Sequence, residues 1–227
     1  MQMRYLGNSG FALRENGTLL IVDCYNPARH AWLHDGSLAE YTSITVLVSH
    51  SHGDHFARSL LRLAGAQCAV GTGVSAPDGT VTLQAGEEAV LNGHTVRAFG
   101  STDEGVSFAV RFCDTLFFHA GDLNNWHWRD ESDLAYAVRA EQDFLAVLNE
   151  IAALCIVPDI ACFPADPRMG SDYYRGAVQF AQSLRPRKLV PMHFGKSFAP
   201  PAVFLEELRP FTEVFTAPLA AVDWVDV

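Results

Sequence analysis

The stretch SHSHGDH, residues 49–55, places His50, His52, Asp54 and His55 within six positions. Imidazole nitrogen and carboxylate oxygen together suit borderline divalent ions, zinc first, with manganese or iron possible. In an extended loop His50 and His52 point the same way. Gly53 permits the bend that turns Asp54 and His55 toward a neighbouring position. The spacing predicts two adjacent metal positions, each receiving two ligands from one loop. A merely solvated polar loop is the alternative, and so many imidazoles at one strand end argue against it.

Two ligands are too few for an ion, so other segments must contribute. FFHAGDLNN puts Asp122 after a strand-like run, where its two oxygens can each face one ion. LVPMHFG ends another strand at His193, the remaining expected ligand. Asp23, closing LLIVD, is expected to fix a ligand histidine through its second ring nitrogen. Lys196 and Arg168 are candidates to receive an anionic group of a substrate, and Trp126 and Trp128 could wall a pocket. Glu141 sits on the apolar stripe of a helix, so a salt bridge to an arginine is expected. His94 and His119 read as structural, and His30 and His34 as surface residues.

The elements that must hold these groups follow from patterning. ENGT marks a hairpin between apolar runs in the first quarter, and SITVLV is a β-branched run of the kind buried on both faces. It stops at the histidine cluster. FARSLLRLAGA reads as a short helix halted by Gly65. Residues 67–121 return to strands with turns at PDGT, LNGH and FCDT. SDLAYAVRAEQDFLAVLNEIAAL has helical periodicity, LCIV and IACFPA suggest a strand, and SDYYRGAVQFAQSLRP a helix with Ser171 near its N-cap. KLVPM is a strand, PPAVFLEELRP a helix and TEVFTAP a closing strand. Alternation of this kind predicts an α/β (α+β) fold of two mixed sheets with helices on their outer faces, in a single domain spanning 1–227.

The 227 residues are 49% hydrophobic and carry a formal net charge of −10. An acidic chain without a Lys/Arg run argues against a nucleic-acid partner. No segment approaches the roughly 20 apolar residues of a membrane span, and the first residues do not read as a signal peptide. Cys24, Cys68, Cys113, Cys155 and Cys162 are scattered without a CxxC pair, which predicts reduced thiols and a cytoplasmic location.

Taken with their order, the motifs resemble the metallo-β-lactamase superfamily along nearly the whole chain. YLGNSGFAL resembles its opening strand and turn, LLIVDCYNP the next strand, SHSHGDH its HxHxDH signature, AGDLN the bridging aspartate and VPMHFG the last histidine. The resemblance implies a four-layer αββα sandwich with the metal site at one edge of the sheets. It also exposes a departure. The family's third histidine for the first metal falls in a stretch corresponding to AFGSTDEGVSF, where Ser101 stands instead. His50, His52 and shared Asp122 are left for site one, while Asp54, His55, Asp122 and His193 complete site two. His127 and Asp103 are the candidates to fill the gap; otherwise one ion is held well and the second is weak or absent.

With zinc at one or both sites, the expected activity is hydrolysis of an ester, lactone or phosphodiester bond in a small, anionic molecule. Asp54 and Asp122 would act beside the activated water. The rival is a protein that keeps the fold and a degenerate site to sense a ligand without consuming it.

Overall fold

The computed structural model describes residues 1–195 and 199–227. The first sheet contains β1 (Gln2–Gly7), β2 (Gly10–Glu15), β3 (Thr18–Val22), β4 (Ser43–Val48), β5 (Ala66–Gly71) and β6 (Val81–Leu83). The second contains β7 (Glu88–Leu91), β8 (His94–Phe99), β9 (Ser107–Phe112), β10 (Thr115–His119), β11 (Ile160–Pro164), β12 (Lys188–Met192) and β13 (Glu213–Val214). A last strand, β14 (Val225–Asp226), returns to the first sheet and pairs antiparallel with β1. The orders are β14-β1-β2-β3-β4-β5-β6 and β13-β12-β11-β10-β9-β8-β7. Each sheet is mixed: β3 to β6 run parallel in one and β10 to β13 in the other.

The strand period of two decides which residues meet. In β2 and β3, Phe11, Leu13, Leu20 and Val22 belong to the core shared with the second sheet. Their neighbours Ala12, Leu19 and Ile21 pack on the opposite face with Trp32, Leu33, Leu60 and Leu61. On β10, Phe118 turns toward the helical layer, with its ring 5.2 Å from Phe180, while His119 lies against Phe11. The helical layer on that side is α1 (Leu134–Ala153), α2 (Arg175–Leu184) and α3 (Ala202–Leu208). Asp133 caps α1 by accepting from the Tyr136 amide, and Phe144, Leu148 and Ile151 form its buried stripe.

The layers agree with the expected sandwich, and several element boundaries do not. FARSLLRLAGA forms only a 3-10 turn at Leu60–Arg62. Its buried residues Leu60 and Leu61 are sequence neighbours, so they anchor one turn rather than a helical stripe. With similar turns at 27–29, 31–33 and 37–40, it covers the outer face of the first sheet in place of α-helices. Helix α2 starts at Arg175, behind Tyr174 and without a side-chain cap, rather than at Ser171. LCIV is a turn and loop after α1, and the strand begins at Ile160. TEVFTAP supplies only the two residues of edge strand β13, followed by α4 (Ala217–Ala220).

The consequence for function is convergence. The C-terminal ends of β3, β4, β10, β11 and β12 lead directly into Asp23, the 49–55 loop, Asp122, Asp166 and His193. The loop between β8 and β9 is pressed against the same place. There Gly105 adopts φ +72°, the Val106 amide donates to Ser49 O (3.2 Å), and a Cβ at 105 would collide with Ser49 O and His50 Cβ. Gly105→Ala should therefore destabilise the chain by roughly 2–4 kcal/mol, from left-handed strain plus overpacking. Gly36→Ala, at φ +94° in open space, should cost only about 1–2 kcal/mol. Equal urea-denaturation shifts for the two variants would contradict this close approach.

Candidate metal centre

Asp23 is the deepest polar group of the site. It leaves β3 at φ +48°, an arrangement that aspartate tolerates better than most residues, and it is fully buried. The Ser49 amide donates to Oδ1 (2.7 Å) and the Ser49 hydroxyl to Oδ2 (2.5 Å). His55 Nδ1 meets Oδ2 at 2.8 Å. Burial alone would raise the Asp23 pKa; the interactions with His55, His119 and Ser49 outweigh it and hold the carboxyl below its ordinary range.

This contact decides how the neighbouring imidazoles face. His55 gives its Nδ1–H to Asp23, so Nε2 looks into the site. Ser49 has already given its proton to Asp23, so at 2.9 Å its oxygen accepts from His50 Nδ1, again leaving Nε2 free. His193, held at φ +59°, places Nδ1 3.1 Å from Asp166 Oδ2 and turns Nε2 inward. The half-exposed His52 differs: Nδ1 lies 3.1 Å from His50 Nε2, while Nε2 looks away toward Glu104 Oε2 at 3.6 Å. Each inward nitrogen is thus backed by an oxygen on the other side of its ring, the arrangement that orients metal-bound histidines.

The inward atoms form two adjacent groups with Asp122 between them. Asp122 Oδ1 lies 3.1 Å from His55 Nε2 and 3.6 Å from His193 Nε2. Asp54 Oδ2 stands 3.5 Å from His193 Nε2 and 4.0 Å from His55 Nε2. Asp122 Oδ2 is 3.4 Å from His50 Nε2, and His52 completes that group. Ligands about 2.0–2.1 Å from a tetrahedral ion sit roughly 3.3 Å from one another, so these separations are those of coordination shells. Moreover, Asp122 Oδ1 and His55 Nε2 are both buried, and among the described residues neither has a hydrogen-bond partner, although they approach closely. A divalent cation satisfies both, and the donor set fits one.

The charges of these side chains point the same way. Burial disfavours imidazolium at His55, yet Asp122 and Asp23 overcome it and push the pKa up to about 10. His193 reaches about 9, with burial again opposed, this time by Asp166 and Asp54. Burial works against ionised Asp122, but His50 and His55 hold it well below the usual carboxylate range. Asp54 is also held low, chiefly by His193. Such a cluster of anions draws in positive charge, as protons or as metal.

The other expected residues separate clearly. Asp103 lines the cleft above the site, a cavity of about 360 Å³ that also includes His52, Asp54, Asp122, Trp126 and Arg168. Ser101 Oγ instead accepts from the Asp103 amide (3.4 Å), within its own turn. Both ring nitrogens of His127 are engaged away from the cluster: Nε2 contacts Asp172 O (3.0 Å) and Nδ1 accepts from the Arg129 amide (3.1 Å). Trp126 and Trp128 stack at 6.4 Å between centroids, and Trp126 Nε1 donates to Asp122 O. Glu141 pairs with Arg175 (2.7 Å), His119 contacts Ser9 O (2.7 Å) and His94 bridges β8 and β9. His30 and His34 contact the backbone oxygens of Leu6 and Pro27. Lys196 lies outside the described residues.

Three contributors were not anticipated from sequence. Asp166 supports His193, Glu104 faces His52, and Asn8 Nδ2 donates to Asp54 Oδ2 (3.1 Å). Asp166 follows strand β11 as Asp23 follows β3, so a strand-end aspartate was the available signal. If Asp166 orients His193, Asp166→Asn should weaken zinc binding by about 10- to 100-fold in chelator competition. An unchanged affinity would contradict that role.

The chain is similar to several known proteins. Residues 2–193 match the family model described as "Beta-lactamase superfamily domain". A "UPF0173 metal-dependent hydrolase" of Pyrobaculum arsenaticum is 26% identical over 217 residues, covering 86% of this chain and 84% of that protein. A protein of the same name from Nitratidesulfovibrio vulgaris is also 26% identical, over 83% and 78%. Among solved structures, Igni18, a metallo hydrolase of Ignicoccus hospitalis, superposes with TM-score 0.65 at 20% identity, over 100% of this chain and 98% of that one. CmlA, a diiron β-hydroxylase of Streptomyces venezuelae, superposes with TM-score 0.62 at 13% identity, over 95% and 52%. The two likenesses show a shared fold. With the HxHxDH loop, Asp122 and His193 gathered at the sheet edge, the chain belongs to the metallo-β-lactamase superfamily.

Proposed function

We propose that the protein is a metal-dependent hydrolase whose site would hold zinc, or manganese or iron. His50, His52 and Asp122 would form one position, and Asp54, His55, His193 and Asp122 the other. The observation that carries the reading is the Asp122 carboxylate: its two oxygens face two different ligand groups, and Oδ1 is buried with no hydrogen-bond partner among the described residues. The names of the hydrolase relatives support it.

Divalent ions bound there supply the Lewis acidity that brings the pKa of water from 15.7 to about 7. The chain's own groups do the rest. Asp54 Oδ2 is engaged with Asn8, His55 and His193, which leaves Oδ1 to take the proton of the attacking water and return it to the leaving group. Asp23 and Asp166 keep the His55 and His193 rings turned inward throughout. Trp126 and Trp128 form a flat apolar wall against which the body of a small ester, lactone or phosphodiester can lie. Five unpaired thiols support an enzyme of a reducing compartment such as the cytoplasm. Among the described residues no helix is long and apolar enough to cross a membrane.

The test is turnover of p-nitrophenyl acetate, γ-butyrolactone and bis(p-nitrophenyl) phosphate by the chain reconstituted with each metal. At least one should be cleaved in a chelator-sensitive reaction, with a loss of about 100-fold or more in His193→Ala. Metal binding without turnover of any of the three would favour the ligand-sensing alternative.

A further inference from the structure

Arg168 is the group of the cleft that the metal centre leaves unused. It lies in the 3-10 turn Pro167–Met169, which follows the end of β11. Its Nε sits 3.0 and 2.9 Å from the two Asp166 oxygens, and its Nη2 lies 2.5 Å from Oδ2. Its own amide donates to Asp166 Oδ1 (3.0 Å). The turn is pinned further by the Gly170 amide to Pro167 O (3.2 Å) and the Ser171 amide to Asp130 Oδ2 (2.9 Å). A long, flexible side chain is thereby fixed in one orientation before any ligand arrives, and that cuts the entropy lost on binding.

Exposure separates two roles for this arginine. One present only to neutralise Asp166 would be covered with it, as buried ion pairs are. Here the Asp166 side chain is 2% exposed and that of Arg168 69%. The guanidinium edge carrying Nη1 has no described hydrogen bond, and Arg168 lines the metal cleft. Among the described residues, the carboxylates and imidazoles lining that cleft are those of His52, Asp54, Asp103, Asp122 and His193, of which all but Asp103 belong to the proposed metal-ligand set. Among the described residues lining the cleft, Arg168 is the cation that lies outside the metal-ligand set, with its outer edge open to the cavity. The Trp126–Trp128 wall, with Trp126 edge-on to His193 at 5.6 Å, lines the same cavity.

We propose that Arg168 is the anion-recognising residue of this cleft. It receives the carboxylate or phosphate oxyanion of a small substrate on its outward edge, while that substrate's body rests against the tryptophans. The proposal rests on the hydrolase reading for the word substrate, but the binding it describes is independent of turnover.

The test uses the full chain reconstituted with zinc, titrated with phenyl phosphate and with phenylacetate and read by tryptophan fluorescence. Azide serves as an anion that needs only the metal. Arg168→Gln should weaken the better-bound oxyanion by about tenfold or more, the value of a charge-assisted hydrogen bond. Azide binding and zinc content should stay within twofold, and Arg168→Lys should recover part of the loss. A response to phenyl phosphate alone assigns phosphate esters, and to phenylacetate alone carboxylate-bearing substrates. Oxyanion affinities unchanged in Arg168→Gln would overturn the proposal, as would a parallel loss of azide or zinc. Arg168-dependent binding without turnover of any ester would support it while contradicting the hydrolase reading.

Discussion

One buried carboxylate sets the geometry on which the site depends. Asp23 has no solvent exposure and receives a backbone amide, a hydroxyl and an imidazole. Removing such a charge from water is tolerable only when its lone pairs are filled. Filling them fixes Ser49, and Ser49 in turn fixes His50. Two metal-facing nitrogens are therefore aimed by a residue that need not touch an ion. Close packing holds the arrangement shut, since glycines at 71, 105 and 121 allow the surrounding backbone to close on Ser49.

The same design recurs across the sheet edge with a looser grip. Asp166 backs His193 as Asp23 backs His55, but its other oxygen contacts go to an exposed arginine rather than to buried groups. Its carboxyl stays low, at about 2, because His193 and Arg168 outweigh burial. The two halves thus differ in burial: Asp23 and its partners lie in the core, whereas Asp166 is backed by an arginine exposed at the cleft. Half-exposed His52, with only exposed Glu104 behind it, is the least constrained of the four histidines.

Much of this was legible in the sequence because the ligands come from strand ends. A run such as SITVLV announces a buried parallel strand, and a histidine cluster directly after it can only sit at the sheet's carboxyl edge. Asp122 and His193 were readable in the same way. The layered sandwich also followed, from the order of strand and helix patterns and from the family resemblance of the motifs. Support residues were harder. Glu104 and Asn8 act through loops whose approach depends on tertiary packing, and His127 looked available because sequence does not show that the Asp172 carbonyl and Arg129 amide already occupy its nitrogens. The FARSLLRLAGA segment failed as a helix for a related reason: adjacent leucines served the outer core, and packing overrode local propensity.

The central claim is that Asp122 joins two metal positions, and counting ions tests it most directly. Native mass spectrometry of the zinc-reconstituted chain should show two ions. His50→Ala and His193→Ala should each keep one, lost from opposite sides of Asp122. A single ion in the unmodified chain, retained in His50→Ala and absent from His193→Ala, would contradict the bridged centre and leave His50 and His52 outside the metal shell.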